Sequence, residues 1–294
     1  MSKNVSQLLS VTKINSIGNG KVIYSLFSND KTELALHYWS AEKAIASVFY
    51  VHGIQSHAGW LDEIAAYLKR FSINLFALDR RGSGLSKGLR GDICSTEQLL
   101  NDYNIAFDFA SAKSNGCPII GLGQSFGGSI LAALLVKYRL PFKGSIFCAP
   151  ALGQQRAKGR KIYEGNKKNC LNRSPLMLSD LDYTNIDRYL RFMANDVLMQ
   201  RFITDRTQFF MSKLEDIYCM QKAGYIINHP VFFVAPRVDP IINLSVSKEV
   251  LKTIAPSYQY KTFETMFHYI EFSEARHSYF KWLINTINSV LLFS

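Results

Sequence analysis

The sequence predicts an α/β fold: a mostly parallel central sheet with helices on both faces and an inserted helical cap. Three observations carry this. Short apolar runs rich in strand formers alternate with segments of helical spacing along most of the chain. One serine, Ser125, stands between glycines in GLGQSFGG (residues 121–128), directly after an apolar run and directly before a helix-like one. Between about 151 and 227 the alternation stops, and it resumes afterwards. Repeated strand, helix, strand is the pattern of a parallel sheet covered on both faces.

The first strand expected is Ala44 to Val51 (AIASVFYV), followed by a helix over Gly59 to Phe71 with apolar spacing at Leu61, Ile64, Ala65 and Leu68. Asn74 to Leu78 is the next strand, and after a glycine-punctuated loop Thr96 to Lys113 reads as a helix. An apolar run from Pro118 leads to Ser125, and the helix Phe126 to Tyr138 follows. Lys143 to Cys148, Val231 to Val234 and Tyr258 to Thr265 complete the sheet, with helices at Ser245 to Ile254 and Ala275 to Leu292. Residues 1–150 and 228–294 then form the core domain, and 151–227 a lid over one edge of the sheet.

Composition narrows the classes. A chain of 294 residues, 48% hydrophobic and 19% charged, can bury a full core, which excludes disorder. Lys and Arg exceed Asp and Glu by 34 to 23, giving a net charge of +11 that favours anionic partners. No nucleic-acid reader module accompanies that charge, so no nucleic-acid partner is expected. The five cysteines are scattered without paired spacing, which suits a reducing compartment and gives no zinc pattern. The N-terminal MSKNVSQLLSVTKINS lacks an apolar core of signal-peptide length, and no later run approaches the roughly 18 apolar residues of a membrane span. The expectation is a cytoplasmic protein.

The chemistry should lie at the carboxyl ends of the strands. A strand-to-helix turn at Ser125 would hold the serine in a strained backbone and expose its hydroxyl, with Gly123 and Gly127 leaving room for neighbouring backbone. A serine nucleophile needs a histidine base, and the histidine needs a carboxylate. For this kind of turn the order is serine, acid, histidine. His268 follows the last strand at its carboxyl end, whereas His229 precedes a strand and His277 sits within the last helix. Asp239, after VFFVAPRV, is the acid expected. Two backbone N–H groups would stabilise the oxyanion: that of Phe126, next to the nucleophile, and that of Ile54, on the loop after His52 and Gly53. No metal or cofactor is expected.

The stretches VHGIQSHAGW (51–60), LDRRGSGLSKGLRG (78–91), GLGQSFGGS (121–129), APALG (149–153), VDPII (238–242) and His268 followed by Glu274 are those in which the chain resembles the α/β-hydrolase superfamily, and within it the monoglyceride lipase and lysophospholipase group. The resemblance implies an α/β-hydrolase fold and a serine esterase with Ser125 as nucleophile, His268 as base, Asp239 as acid, and Ile54 and Phe126 as oxyanion donors. The group usually has glycine where Pro236 stands, histidine where Ser83 stands, and often an acid where Tyr269 stands.

The insertion is the direct clue to substrate. RFMANDVLMQRFITDRTQFFM (191–211) is dense in long and aromatic side chains, among them Phe192, Met193, Met199 and Phe202, suited to an acyl-chain tunnel for a lipid-like ester. RAKGRKIYEGNKKNCLNR (156–173) is strongly basic and reads either as a solvated loop or as a patch that docks the lid on an anionic membrane surface, each basic residue there contributing about 1 kcal/mol. Two other readings remain open from the residues: another Ser-His-Asp hydrolase, such as a peptidase or carbon-carbon hydrolase, and a non-catalytic binding protein of the same fold.

Overall fold

The computed structural model describes residues 12–17, 20–156, 170–221 and 224–292, with backbone alone for 12–17. Most of the basic run, including Lys158, Arg160, Lys161, Lys167 and Lys168, lies outside the described residues.

The strands are β1 (Thr12–Ile17), β2 (Lys21–Phe27), β3 (Glu33–Trp39), β4 (Ala46–Val51), β5 (Ile73–Leu78), β6 (Ile119–Gln124), β7 (Gly144–Cys148), β8 (Arg173–Pro175), β9 (Phe202–Thr204), β10 (Val231–Pro236) and β11 (Gln259–Phe263). The helices are α1 (Asp62–Lys69), α2 (Thr96–Lys113), α3 (Phe126–Tyr138), α4 (Asp187–Asn195), α5 (Asp205–Cys219), α6 (Leu244–Ile254) and α7 (Arg276–Leu292). Among the described residues the main sheet has nine strands in the order β1-β2-β3-β5-β4-β6-β7-β10-β11. From β5 through β4 to β11 every pairing is parallel; β1, β2 and β3 join antiparallel at one end.

Both faces of the central strands are buried, so their side chains divide by the period of two. Phe49, Val51, Phe76, Leu78, Phe147 and Phe233 enter one core with α2, α3, α5 and α6. Val48, Tyr50, Leu75, Ala77, Ile146 and Val234 enter the other with α1 and α7. The Ser95 hydroxyl caps α2 by accepting from Gln98 N–H.

Three strands before Ala46 escape the sequence pass. Lys21 is buried on β2, which breaks the apolar signal of that strand, and it is held by Asp62 at 2.8 Å. The inserted segment also differs from the expected loop and helical pieces. It contains the two-stranded ribbon β8–β9, and its helix α5 buries Met211, Leu214 and Tyr218 in the main core rather than standing off it.

Chain order puts the site where it is. Strand β4 pairs with β5 on one side and β6 on the other, so the loops leaving β4 and β6 open beside each other at the point where the winding direction changes. Among the described residues no helix is long and apolar enough to cross a membrane, and all five cysteines are free.

Candidate active site

Ser125 has φ 53° and ψ −122°, a strained conformation for a residue with a side chain. Its backbone is pinned from several sides: Ser125 N–H donates to Cys148 O at 2.9 Å, and Ser125 O accepts from Ala151 N–H at 2.9 Å. Helix α3 starts so close to β4 that a Cβ on Gly127 would stand 1.9 Å from Val51 O, which is why a glycine is required there. Among the described residues the Ser125 hydroxyl makes no hydrogen bond of its own. The Phe126 N–H is the first of α3 and so has no acceptor within the helix.

His268 and Asp239 come together from the loops after the adjacent strands β11 and β10. His268 Nδ1 lies 2.8 Å from Asp239 Oδ2, with both side chains buried. The other carboxylate oxygen accepts from the N–H groups of Ile241 and Ile242 at 2.9 and 2.8 Å. These bonds orient the acid so that Nδ1–H donates and Nε2 of the imidazole is left as the acceptor. Pro236 closes β10 opposite Phe263, and the loop still delivers Asp239 to His268. The Asp182 carbonyl accepts from His268 N–H at 2.8 Å, so the inserted segment helps to hold the loop.

Nε2 of His268 has a neighbour that sequence reasoning missed. The Gln124 side-chain amide is 3.3 Å away. Its place in Gly-x-Ser-x-Gly, directly before the serine, was the available signal. His229 bonds Ser145 Oγ at 2.8 Å at the far end of the sheet, and burial pushes its pKa down to about 4. His277 is on the exposed start of α7.

Trp60 joins the core to the insertion through a cluster of rings. Its ring lies 5.8 Å from Phe192, 5.5 Å from Tyr269, 5.3 Å from Phe272 and 6.2 Å from Tyr183, and Tyr183 meets the His268 ring edge-on at 5.7 Å. Met193 and Met199 are buried in the same cluster. Asp196 fastens it, accepting from Trp60 Nε1 at 2.7 Å and from His57 Nε2 at 3.0 Å. Burial works against the Asp196 charge, but these bonds hold its carboxyl below the usual range. Of the expected substrate contacts, Phe192 is thus linked to His268 through the Trp60 and Tyr183 rings, and Met193 and Met199 are buried in the same cluster. Phe202 is not: it lies on β9 with its ring 4.5 Å from the Arg173 guanidinium. Ser83 is buried, its hydroxyl 3.5 Å from Ser56 O, and Tyr269 is buried against Trp60. Among the described residues no group of three or more His, Cys, Asp or Glu side chains is placed to hold a metal ion.

Residues 42–275 match the family described as serine aminopeptidase, S33. An abhydrolase domain-containing protein of Dictyostelium discoideum is 25% identical over 285 residues, 90% of this chain and 29% of that protein. The monoglyceride lipase of Rattus norvegicus is 28% identical over 128 residues, 43% of this chain and 42% of that protein. The chain therefore spans less than half the length of these curated relatives. A soluble variant of monoglyceride lipase from Saccharomyces cerevisiae, solved with a substrate analog, superposes with a TM-score of 0.76 at 14% identity, over 98% of both chains.

Proposed function

The chain belongs to the S33 family of α/β hydrolases, whose members similar to it are of the lipase and esterase type, and from that premise we propose that it is a serine ester hydrolase acting on lipid-like esters through an acyl-enzyme. The observation that carries the proposal is the buried His268–Asp239 pair at 2.8 Å, with His268 Nε2 3.3 Å from the side chain of Gln124, which immediately precedes the strained Ser125.

In this reading His268 Nε2 takes the proton of Ser125 as Oγ attacks the acyl carbon. The Asp239 carboxylate stabilises the imidazolium and keeps its orientation. Charge that develops on the carbonyl oxygen meets the N–H groups of Ile54 and Phe126, whose effect is largest in the transition state. His268 then returns the proton to the departing alcohol, leaving Ser125 acylated. A water, deprotonated by the same imidazole, attacks the ester of Ser125, and as the second tetrahedral species collapses the imidazolium returns that proton to Ser125 Oγ, freeing the acid and the serine.

Residues 151–227 act as a cap in this account, with Phe192 presented to the acyl chain and Met193 and Met199 packed in the cluster behind it. Each further buried methylene adds about 0.8 kcal/mol of binding. Similarity to the rat monoglyceride lipase supports a monoacylglycerol substrate, and the aromatic and methionine cluster suits the acyl chain of a monoacylglycerol or a lysophospholipid alike. The basic run would carry the cap to an anionic lipid surface. The test is a panel of aryl esters, monoacylglycerols, lysophospholipids and aminoacyl amides with wild type and Ser125→Ala. Long-chain esters should be cleaved best and only by the wild type; an amide outperforming every ester would favour a peptidase instead.

A further inference from the structure

Arg80 is buried, yet among the described residues it forms no ion pair. Its Nη1 donates to Gly53 O at 3.1 Å and its Nη2 to Ile54 O at 3.0 Å. Its guanidinium carbon lies 5.5 Å from the centre of the Phe126 ring. Asp79, the acid next to it in sequence, is committed elsewhere: to His37 at 3.0 Å and to the N–H groups of Ala58 and Leu85 at 2.7 and 2.8 Å. A buried cation bonded to carbonyls instead of a carboxylate is costly, so its location calls for a reason.

We propose that Arg80 is a positioning residue for the oxyanion site, aiming the Ile54 N–H at Ser125 and supplying positive potential behind both donors. The inference rests on the reading of Ile54 and Phe126 given above. Gly53 C=O and Ile54 N–H belong to one planar trans peptide, so a donor that fixes the oxygen on one side fixes the N–H on the other. Arg80 bonds both this peptide and the next, which removes their freedom to rotate. His52 acts with it. Its Nε2 accepts from Arg80 N–H at 3.0 Å, so its Nδ1–H faces Gly53 O at 2.9 Å as a second donor. Burial and then the Arg80 charge push the His52 pKa down to about 3, which keeps that tautomer neutral. On its other side the loop reaches the nucleophile: the place a Cβ would take on Gly53 is 3.4 Å from Ser125 Cβ.

The experiment compares full-length wild type, Arg80→Met, Arg80→Lys and Ser125→Ala on p-nitrophenyl butyrate. It also measures inhibition by a long-chain alkyl trifluoromethyl ketone, which adds Ser125 Oγ to its carbonyl carbon and leaves the former carbonyl oxygen as an oxyanion while the serine proton passes to His268. Arg80→Met should lower kcat about 100-fold with KM within threefold, and weaken the ketone by a similar factor. Arg80→Lys should recover part of both. Should Arg80→Met not fold, Arg80→Lys decides alone, with kcat and ketone affinity falling together by at least tenfold. Wild-type kcat and ketone affinity in the folded variant, or a change in KM alone, would overturn the role of Arg80. Full activity in Ser125→Ala would instead overturn the reading of the site.

Discussion

The side-chain amide nitrogen of Gln124 lies 3.3 Å from Nε2 of His268, the atom that receives the Ser125 proton in the proposed mechanism. With Nδ1–H donated to Asp239, Nε2 accepts and the amide donates, so serine attack requires that bond to be released. A neutral hydrogen bond contributes about 1 kcal/mol. Gln124→Met, similar in length but without the donor, is expected to raise kcat/KM on p-nitrophenyl butyrate about fivefold. A loss beyond tenfold would mean that the amide supports His268 instead of restraining it.

Asp239 accepts from His268 and from two backbone N–H groups. Asparagine can keep the backbone bonds only by turning its amide nitrogen toward His268, which then favours the wrong imidazole tautomer. Asp239→Asn should therefore lose about 10³- to 10⁴-fold in kcat with its thermal midpoint little changed. A loss under tenfold would point to another carboxylate.

Glu271 is buried under the His268 loop and accepts from the Tyr50 hydroxyl at 2.9 Å. Burial raises its pKa from 4.5 to about 7. The folded protein then holds a proton that the unfolded chain gives up, so this contribution to stability is complete below about pH 4.5, declines as pH rises toward 7 and stays lost above it. Glu271→Gln, neutral throughout, should flatten that decline and be more stable than wild type at pH 8 by up to about 3 kcal/mol. Urea unfolding at pH 5 and pH 8 measures it, and an unchanged pH slope in the variant would refute the assignment.

Phe192 is exposed on α4, with its ring against Trp60 and Phe272. Its removal should be felt by substrates long enough to reach it. For Phe192→Ala, kcat/KM on decanoyl esters is expected to fall about tenfold while acetyl esters change less than twofold. Equal losses for both chain lengths would place Phe192 outside the acyl path.

Where a local rule acts alone, the sequence was legible. The ends of α2 and α3 fall where capping and the serine turn put them, at Thr96, Lys113, Phe126 and Tyr138. Ser125, Asp239 and His268 were expected because each follows a strand in the order the chemistry needs, and the structure pairs Asp239 with His268 and puts Ser125 on the turn into α3. The hairpin of β2 and β3 was missed because the buried Lys21 finds its partner only in Asp62, far along the chain. Arg80, Gln124 and Asp196 were missed for the same reason: each takes its meaning from a contact between separate loops, with Gly53 and Ile54, His268, and Trp60 respectively. The sequence pattern treated 191–211 as one lining, whereas folding divides it between the Trp60 cluster, the Arg173 contact of Phe202 and the main core.

In the proposed reaction Ser125 becomes covalently acylated. The most direct measurement is labelling by a fluorophosphonate, whose phosphorus bonds the serine oxygen as fluoride leaves, followed by mass spectrometry of the tryptic peptide. One adduct is expected, on Ser125, forming in wild type, slowed at least 100-fold in His268→Ala and absent from Ser125→Ala. Labelling of Ser125→Ala at the wild-type rate, or an adduct on another residue, would contradict it.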